Sequence, residues 1–371
     1  MAKPAMRAGP APRAADQTAD EGFGVYVHVP FCTHRCDYCA FATWTDRSHL
    51  MADYMACCRD QARALAAGMP PVTSVFFGGG TPNLVAPSMV AAVAAELPLA
   101  SGAEMTVECN PDLVTSAGMR AYRDMGVNRI SLGVQSMAPH VLAALGRQHD
   151  PSMVTASVDA VRSAGIGLLS LDLIFGSPAE SAADCERTLA AAIALEPDHL
   201  SVYGLTPEPG TPLGDNPSRH PDDDDMADKY MIIDRTLERA GFEMYEISNW
   251  ARPGARCRHN LLYWHQGAYA GIGCAAHSHR DGRRFWSVRT PERFIAAIRS
   301  GASVEAGSES LGPDERRLEA LQLALRTSTG VPAGAVPDEV ADLVMPAGDG
   351  RLRLNTRGRL LANEVAIRLH L

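Results

Sequence analysis

Six short apolar runs alternate with stretches of helical spacing along the first half of the chain. Residues 24–29 alternate in a β-rich pattern that stops at Pro30, which predicts a strand. A cysteine-rich loop follows. Residues 48–68 then carry apolar positions at helical spacing and close on Gly68, which predicts a helix. The unit recurs, with strands at 73–77, 105–109, 129–133, 168–175 and 199–203. Helices are predicted after Pro87, over 116–125, 138–145 and 153–164, and in an Ala-rich stretch before the sixth strand. Six strands alternating with helices imply parallel βαβ units. Polar and Gly residues cluster after each strand, at the carboxyl end where α/β barrels carry their sites. The expected fold class is α/β, an incomplete (β/α)6 TIM-like barrel.

Beyond the sixth strand the pattern changes. Asp222 to Asp225 open a helix that runs through Ala240, and an acidic first turn favours the helix dipole. A solvated face is sufficient reason for those carboxylates. Residues 243–290 are rich in aromatics, His and Gly, and from about Leu311 a helix, a short Arg/Leu hairpin-like stretch and a last helix suggest a small separate domain. The expected organisation is a disordered tail over 1–21, a barrel core over 22–215, a flanking region over 216–300 and a small C-terminal domain over 301–371.

Composition narrows the function classes. The chain has 371 residues, 46% of them hydrophobic, enough for a large core and incompatible with global disorder. With 34 basic and 43 acidic residues the net charge is -9, which argues against a nucleic-acid backbone or a polybasic membrane surface as the main ligand. No apolar run is long enough to span a bilayer, and the first residues lack the apolar core of a signal peptide. A cytoplasmic location is expected. Nine cysteines in such a compartment are thiols or metal ligands rather than disulfides.

Three of them fall in Cys32-Thr-His-Arg-Cys36-Asp-Tyr-Cys39, on a loop leaving the first strand. Thiolates this close can face one metal centre, and soft donors favour zinc, copper(I) or an iron–sulfur cluster. A closed zinc site needs a fourth ligand, for which His34 is the near candidate. A three-ligand [4Fe–4S] cluster leaves one iron open. Three unligated thiols are the bland alternative, although exposed thiols of low pKa oxidise readily. The other six cysteines lack such spacing and read as small buried hydrophobes. Polar groups mark the later strand ends: Gly78-Gly79-Gly80-Thr81-Pro82, Glu108-Cys109-Asn110-Pro111 and Gly133-Val134-Gln135-Ser136, with Arg147 and His149 following and Asp172 inside the fifth strand. Glycine permits close approach of backbone to a ligand. A carboxylate between Leu171 and Leu173 is costly without partners, so Asp172 either pairs structurally or binds a polar ligand.

The spacing C-x3-C-x2-C directly after the first strand, with Tyr38 before the last cysteine, resembles the signature of the radical S-adenosylmethionine (SAM) superfamily. The resemblance implies a [4Fe–4S] cluster on Cys32, Cys36 and Cys39, with SAM chelating the fourth iron and a 5′-deoxyadenosyl radical as the reactive product. The Gly78–Gly80 run resembles the superfamily's GGE-type motif. The whole series is similar to the oxygen-independent coproporphyrinogen III oxidases and their relatives, from about Gly24 to the C-terminus. By motif position Tyr26, Gly79 and Glu108 resemble contacts to the cluster-bound SAM. Tyr38, Gly80, Thr81, Gln135, Arg147 and Asp172 resemble contacts to a second SAM.

Two departures from the oxidase pattern matter: Phe41 stands where the oxidases carry a fourth cysteine, and the segment before the first strand is short. Both resemble the HemW branch, the heme chaperones. So does Arg258-His259-Asn260-Leu261-Leu262-Tyr263-Trp264, which matches that branch's HNxxYW motif, implicated in heme binding. Tyr245 to Trp250 and Gly271-Ile272-Gly273 also resemble that branch. The resemblance implies heme as a ligand held by His259, Tyr263 and Trp264, with His265 and His277 as further candidates. Imidazole suits heme iron and aromatic walls suit a porphyrin face. The implied partners are a heme-accepting protein, such as a respiratory one, and an electron donor for the cluster. Coproporphyrinogen oxidase activity is not expected; SAM cleavage stays open. The C-terminal segment resembles the family's winged-helix-like domain, which by fold analogy alone does not make a DNA binder. Competing readings are the oxidase itself and a zinc-binding interaction module.

Overall fold

A computed structural model describes residues 22–371; the expected tail over 1–21 lies outside the described residues. All six expected strands are present: β1 (Phe23–Val29), β2 (Val72–Gly79), β3 (Leu99–Cys109), β4 (Arg129–Gln135), β5 (Leu168–Phe175) and β6 (His199–Gly204). They pair in parallel in chain order. Apart from the half-exposed Tyr26, every residue of β1 is buried, as a strand between a barrel interior and covering helices must be. Register sets residues of the inner face side by side: Tyr26 beside Phe76, Glu108 beside Ser131, and Asp172 beside both Gly133 and Ser201.

The helices of the repeat are α1 (Met51–Ala66), α2 (Pro87–Ala94), α3 (Ser116–Asp124), α4 (Pro139–Ala144), α5 (Pro151–Ala164), α6 (Ala182–Ala194) and α7 (Asp223–Arg239). Their starts are chemically marked. Thr115 and Asp150 accept from amides in the first turns of α3 and α5, and Ser181 with Asp184 closes a capping box on α6, each worth about 1 kcal/mol. Asp222 caps α7 in the same way, so the run of four aspartates is a helix start.

The sheet does not stop at six strands. A hairpin of β7 (Glu243–Glu246) and β8 (Asn249–Ala251) adds to β6. Beyond α8 (Arg258–Trp264), strand β9 (Ala268–Ile272) returns to pair in parallel with β1. Antiparallel β10 (His277–Arg280), β11 (Arg283–Ser287) and, after α9 (Pro291–Ser300), β12 (Glu305–Ser310) extend that edge. The full order is β12-β11-β10-β9-β1-β2-β3-β4-β5-β6-β8-β7. Residues 305–310, expected in the C-terminal unit, thus belong to the large sheet, because β12 takes its backbone hydrogen bonds from β11.

The rest forms a second core around Leu325, Val331, Leu343, Leu354 and Val365. It comprises α10 (Pro313–Leu325), a three-stranded antiparallel sheet of β13 (Val331–Pro332), β14 (Val344–Gly348) and β15 (Arg351–Leu354), then α11 (Thr356–Leu360) and α12 (Ala362–Ala366). Arg359 joins this unit to α7 through a two-pronged ion pair with Asp234, both bonds 2.7 Å. Among the described residues no helix is long and apolar enough to cross a membrane.

Candidate functional site

The cysteine loop leaves β1 and folds over the carboxyl ends of the strands. Trp44 N–H donates to the Pro30 carbonyl and Cys32 N–H to the Trp44 carbonyl, closing the loop's base at 2.8 and 3.1 Å. Asp37 N–H reaches the Leu145 carbonyl at 3.2 Å, and the Arg35 guanidinium holds the Cys39 carbonyl at 3.1 and 3.3 Å. The imidazole of His28 braces the loop from below. Its Nε2 donates to the Ala42 carbonyl at 2.9 Å and its Nδ1 accepts from the Tyr26 hydroxyl at 3.0 Å. Burial lowers the His28 pKa, so the ring is neutral and this tautomer is fixed by its two partners.

Cys32, Cys36 and Cys39 are half-buried and unpaired by disulfide, whereas the other six cysteines are buried. Among the described residues no group of three or more His, Cys, Asp or Glu side chains converges on a single ion position. A mononuclear zinc needs such convergence; a cubane takes one thiolate for each of three irons. Three free, half-buried thiols on one short loop are a donor set that such a cluster accepts. Burial raises the thiol pKa of Cys32, opposed by the Thr81 hydroxyl, and burial raises that of Cys39 as well. Arg147 donates toward Cys36 Sγ at 3.6 Å and anchors on the Gly133 carbonyl at 2.8 Å and Asn110 Oδ1 at 3.1 Å.

A cavity of about 520 Å3 descends from the loop into the barrel. Every one of Tyr26, Tyr38, Gly79, Gly80, Thr81, Glu108, Gln135, Arg147 and Asp172 lines it, together with the three cysteines, His259 and Tyr263. The glycines are required by space. Gly79 has φ +110°, and a Cβ there would lie 2.4 Å from the His28 ring; a Cβ on Gly80 would lie 2.7 Å from the Phe31 carbonyl oxygen. Gln135 ends β4 at φ +63°, a left-handed conformation that non-Gly residues keep mainly where a site requires it.

Of the carboxyls that line the cavity, Glu108 and Asp172 are set within the barrel strands and Glu208 is exposed. Burial, with Asp172 adding to it, pushes Glu108 up to about 7 against the amide of Gly79, which donates to it at 3.1 Å. Burial likewise raises Asp172, opposed by the Ser131, Ser201 and Ser170 hydroxyls; the Ser131 bonds are 2.9 and 2.7 Å. A cationic ligand beside them would favour the charged form of each.

Helix α8 plugs the opposite end of the barrel and carries His259. The device that holds it was not read from the sequence. Glu104 in β3 and Arg129 at the start of β4 form an ion pair at 3.2 Å, 3% and 1% exposed. Glu104 Oε1 accepts from Cys257 Sγ at 3.4 Å and His259 N–H at 3.1 Å, while Arg129 donates to the Ala255 and Arg256 carbonyls. Burial would raise Glu104, but Arg129 and the amides of His259 and Arg258 outweigh it and hold it below the usual carboxylate range. The available signal was a charge of each sign within adjacent apolar strands.

The His259 ring is 1% exposed and stacks on Phe76. One nitrogen bonds Ser74 Oγ and the other the Tyr263 hydroxyl, both at 2.9 Å. Burial lowers its pKa to about 4, so it is neutral. The structure does not bring Trp264 to the cavity: it turns toward the C-terminal unit, with Arg326 over its ring at 5.5 Å.

Comparison with known proteins agrees with this geometry. A model of the radical SAM superfamily matches residues 26–192. The chain is 40% identical over 365 residues to the heme chaperone HemW of Mycobacterium tuberculosis (strain ATCC 25618 / H37Rv), covering 92% of this chain and 93% of that protein. It is 38% identical over 322 residues to the heme chaperone HemW of Escherichia coli (strain K12), covering 81% and 84%. Among solved structures, coproporphyrinogen III oxidase (HemN) from Escherichia coli superposes with a TM-score of 0.81 over 95% of this chain and 92% of that one, at 19% identity, a likeness of fold. With its thiolate trio, its lined barrel and near full-length relatives, the chain belongs to the HemW family within the radical SAM superfamily.

Proposed function

We propose that this protein is a heme chaperone of the radical SAM type, which binds heme and passes it to an acceptor protein under the control of a SAM-ligated [4Fe–4S] cluster. The observation that carries the reading is the 40% identity along 92% of the chain to a protein of that name; the oxidase shares the fold at 19% identity. Phe41 supports the distinction, because it is 68% exposed at the loop position where the oxidases have a cysteine.

In this reading Cys32, Cys36 and Cys39 hold three irons. When bound, the cluster supplies one-electron chemistry toward SAM. The chain's own residues bind and orient. Arg147 offers a charged donor to the Cys36 sulfur. Gly79 and Gly80 keep the backbone close to the ligand space. Glu108 and Asp172, both raised by burial, would offer carboxylates to a ligand that brings positive charge, as a sulfonium and an ammonium do. Tyr26, Tyr38, Thr81 and Gln135 complete the walls.

The test is anaerobic reconstitution followed by two assays. Heme titration should shift the Soret band of the purified protein. Incubation with coproporphyrinogen III, SAM and reductant should yield no protoporphyrinogen. Absence of any Soret shift, or formation of protoporphyrinogen, overturns the reading.

A further inference from the structure

A second cleft of about 420 Å3 lies outside the barrel cavity, beside the cysteine loop. Tyr263 lines both spaces and forms part of the partition. The cleft is aromatic: exposed Phe41 stands at its edge, and Tyr263 meets Tyr269 of β9 edge to face at 4.7 Å. The volume is that of a small-molecule site.

Two groups of defined chemistry complete the cleft. His277 opens β10, is exposed, and stacks on Trp286 of β11 at 5.7 Å; among the described residues its ring nitrogens have no hydrogen-bond partner. Arg289, also exposed, has no carboxylate partner among the described residues. His259 is the opposite case, buried with both nitrogens engaged.

We propose that heme binds in this second cleft, its iron on an imidazole nitrogen of His277, a propionate on Arg289 and its face on Phe41, Tyr263 and Tyr269, and that His259 is a positioning residue that fixes Tyr263 in the wall. This rests on the heme reading above and moves the ligand from the motif histidine to one on the sheet edge. Coordination here is the donation of a lone pair: the neutral imidazole replaces a water on ferric iron, with no electron or proton exchanged. Burial lowers the His277 pKa, with Glu309 opposing, so the ring holds that lone pair at neutral pH. The guanidinium matches a carboxylate in the two-pronged manner. The hydrogen bond between His259 and the Tyr263 hydroxyl and an edge contact to Tyr269 keep Tyr263 upright, which accounts for the motif histidine without exposing its ring.

The experiment uses the full chain with its cluster reconstituted anaerobically and titrates ferric heme, reading Soret difference spectra and the iron spin state. His277→Ala should raise Kd at least tenfold and convert the bound iron to a weaker-field form, and added imidazole should restore the parent spectrum. Arg289→Ala should raise Kd three- to tenfold with the parent spectrum kept. His259→Ala should weaken binding while the spectrum of whatever binds stays that of the parent. If His277→Ala binds with unchanged affinity and spectrum, the assignment falls and the heme reading stands. If the parent chain takes up no heme, both fall.

Discussion

The ion pair beneath α8 offers a quantitative test of how the barrel floor is built. Arg129→Met leaves Glu104 ionised, 3% exposed and without its cation. Breaking one side of a buried pair costs about 3–5 kcal/mol, and the Ala255 and Arg256 carbonyls lose their donor as well. Against a total stability of about 5–15 kcal/mol, that loss is large. It should lower the unfolding midpoint by on the order of 5–10 °C and speed amide exchange across α8, followed by circular dichroism and hydrogen exchange at neutral pH. The deficit should shrink in acid. In the parent, Arg129 and the neighbouring amides hold Glu104 low, so its contribution is lost only as pH falls through that lowered pKa. In the variant, burial is opposed only by the amides of His259 and Arg258 and by the Arg258 charge, so Glu104 sits higher than in the parent and its penalty is gone once pH drops below the unfolded carboxyl value of about 4.3. Glu104→Gln added to Arg129→Met removes the unpaired charge while leaving an oxygen for His259 N–H, and should recover at least about 1–2 kcal/mol. A loss below about 1 kcal/mol in Arg129→Met, or a double variant worse than the single, refutes the reasoning.

Three further outcomes follow. Gly79→Ala must place a methyl against His28 at φ +110° and should cost about 2–4 kcal/mol, read by urea unfolding. Glu108 is raised to about 7, so its contribution to stability is full below the unfolded carboxyl value and is lost as pH rises through about 7; Glu108→Gln should flatten that dependence and gain on the order of 2 kcal/mol at pH 8. Trp264→Phe should lower thermal stability by about 1 kcal/mol through the lost Arg326 contact, yet leave heme affinity within about twofold.

The parallel strands and the cysteine loop were legible because each rests on a local rule: apolar runs closed by Pro or Gly, and thiols at fixed spacing. Nine further residues were placed by motif resemblance, most of them at strand ends or in the loops that follow, with Tyr26 and Asp172 inside strands and Arg147 after α4, and all nine line the cavity. What was not legible depends on pairing between distant segments. No local pattern says that β9 returns to the edge of β1, or that β12 pairs with β11. Glu104 and Arg129 read as ordinary charges until β3 and β4 lie side by side. The aspartate run at 222–225 has a local cause, a helix cap. Trp264 matched a motif whose residues are adjacent in sequence, yet on a helix neighbours one residue apart face different ways, which sends His259 and Tyr263 to the cavity and Trp264 to the C-terminal unit.

The central claim is that three thiolates at the barrel mouth hold a [4Fe–4S] cluster with one iron open to SAM. Its most direct measurement is iron and acid-labile sulfide in anaerobically reconstituted parent and Cys32→Ala, Cys36→Ala and Cys39→Ala variants, with the reduced cluster's electron paramagnetic resonance signal recorded before and after SAM. The account predicts about four irons and four sulfides per chain in the parent, a signal that changes on adding SAM, and loss of both in each variant. Variants that keep the parent's iron and sulfide, or a parent signal indifferent to SAM, would contradict it.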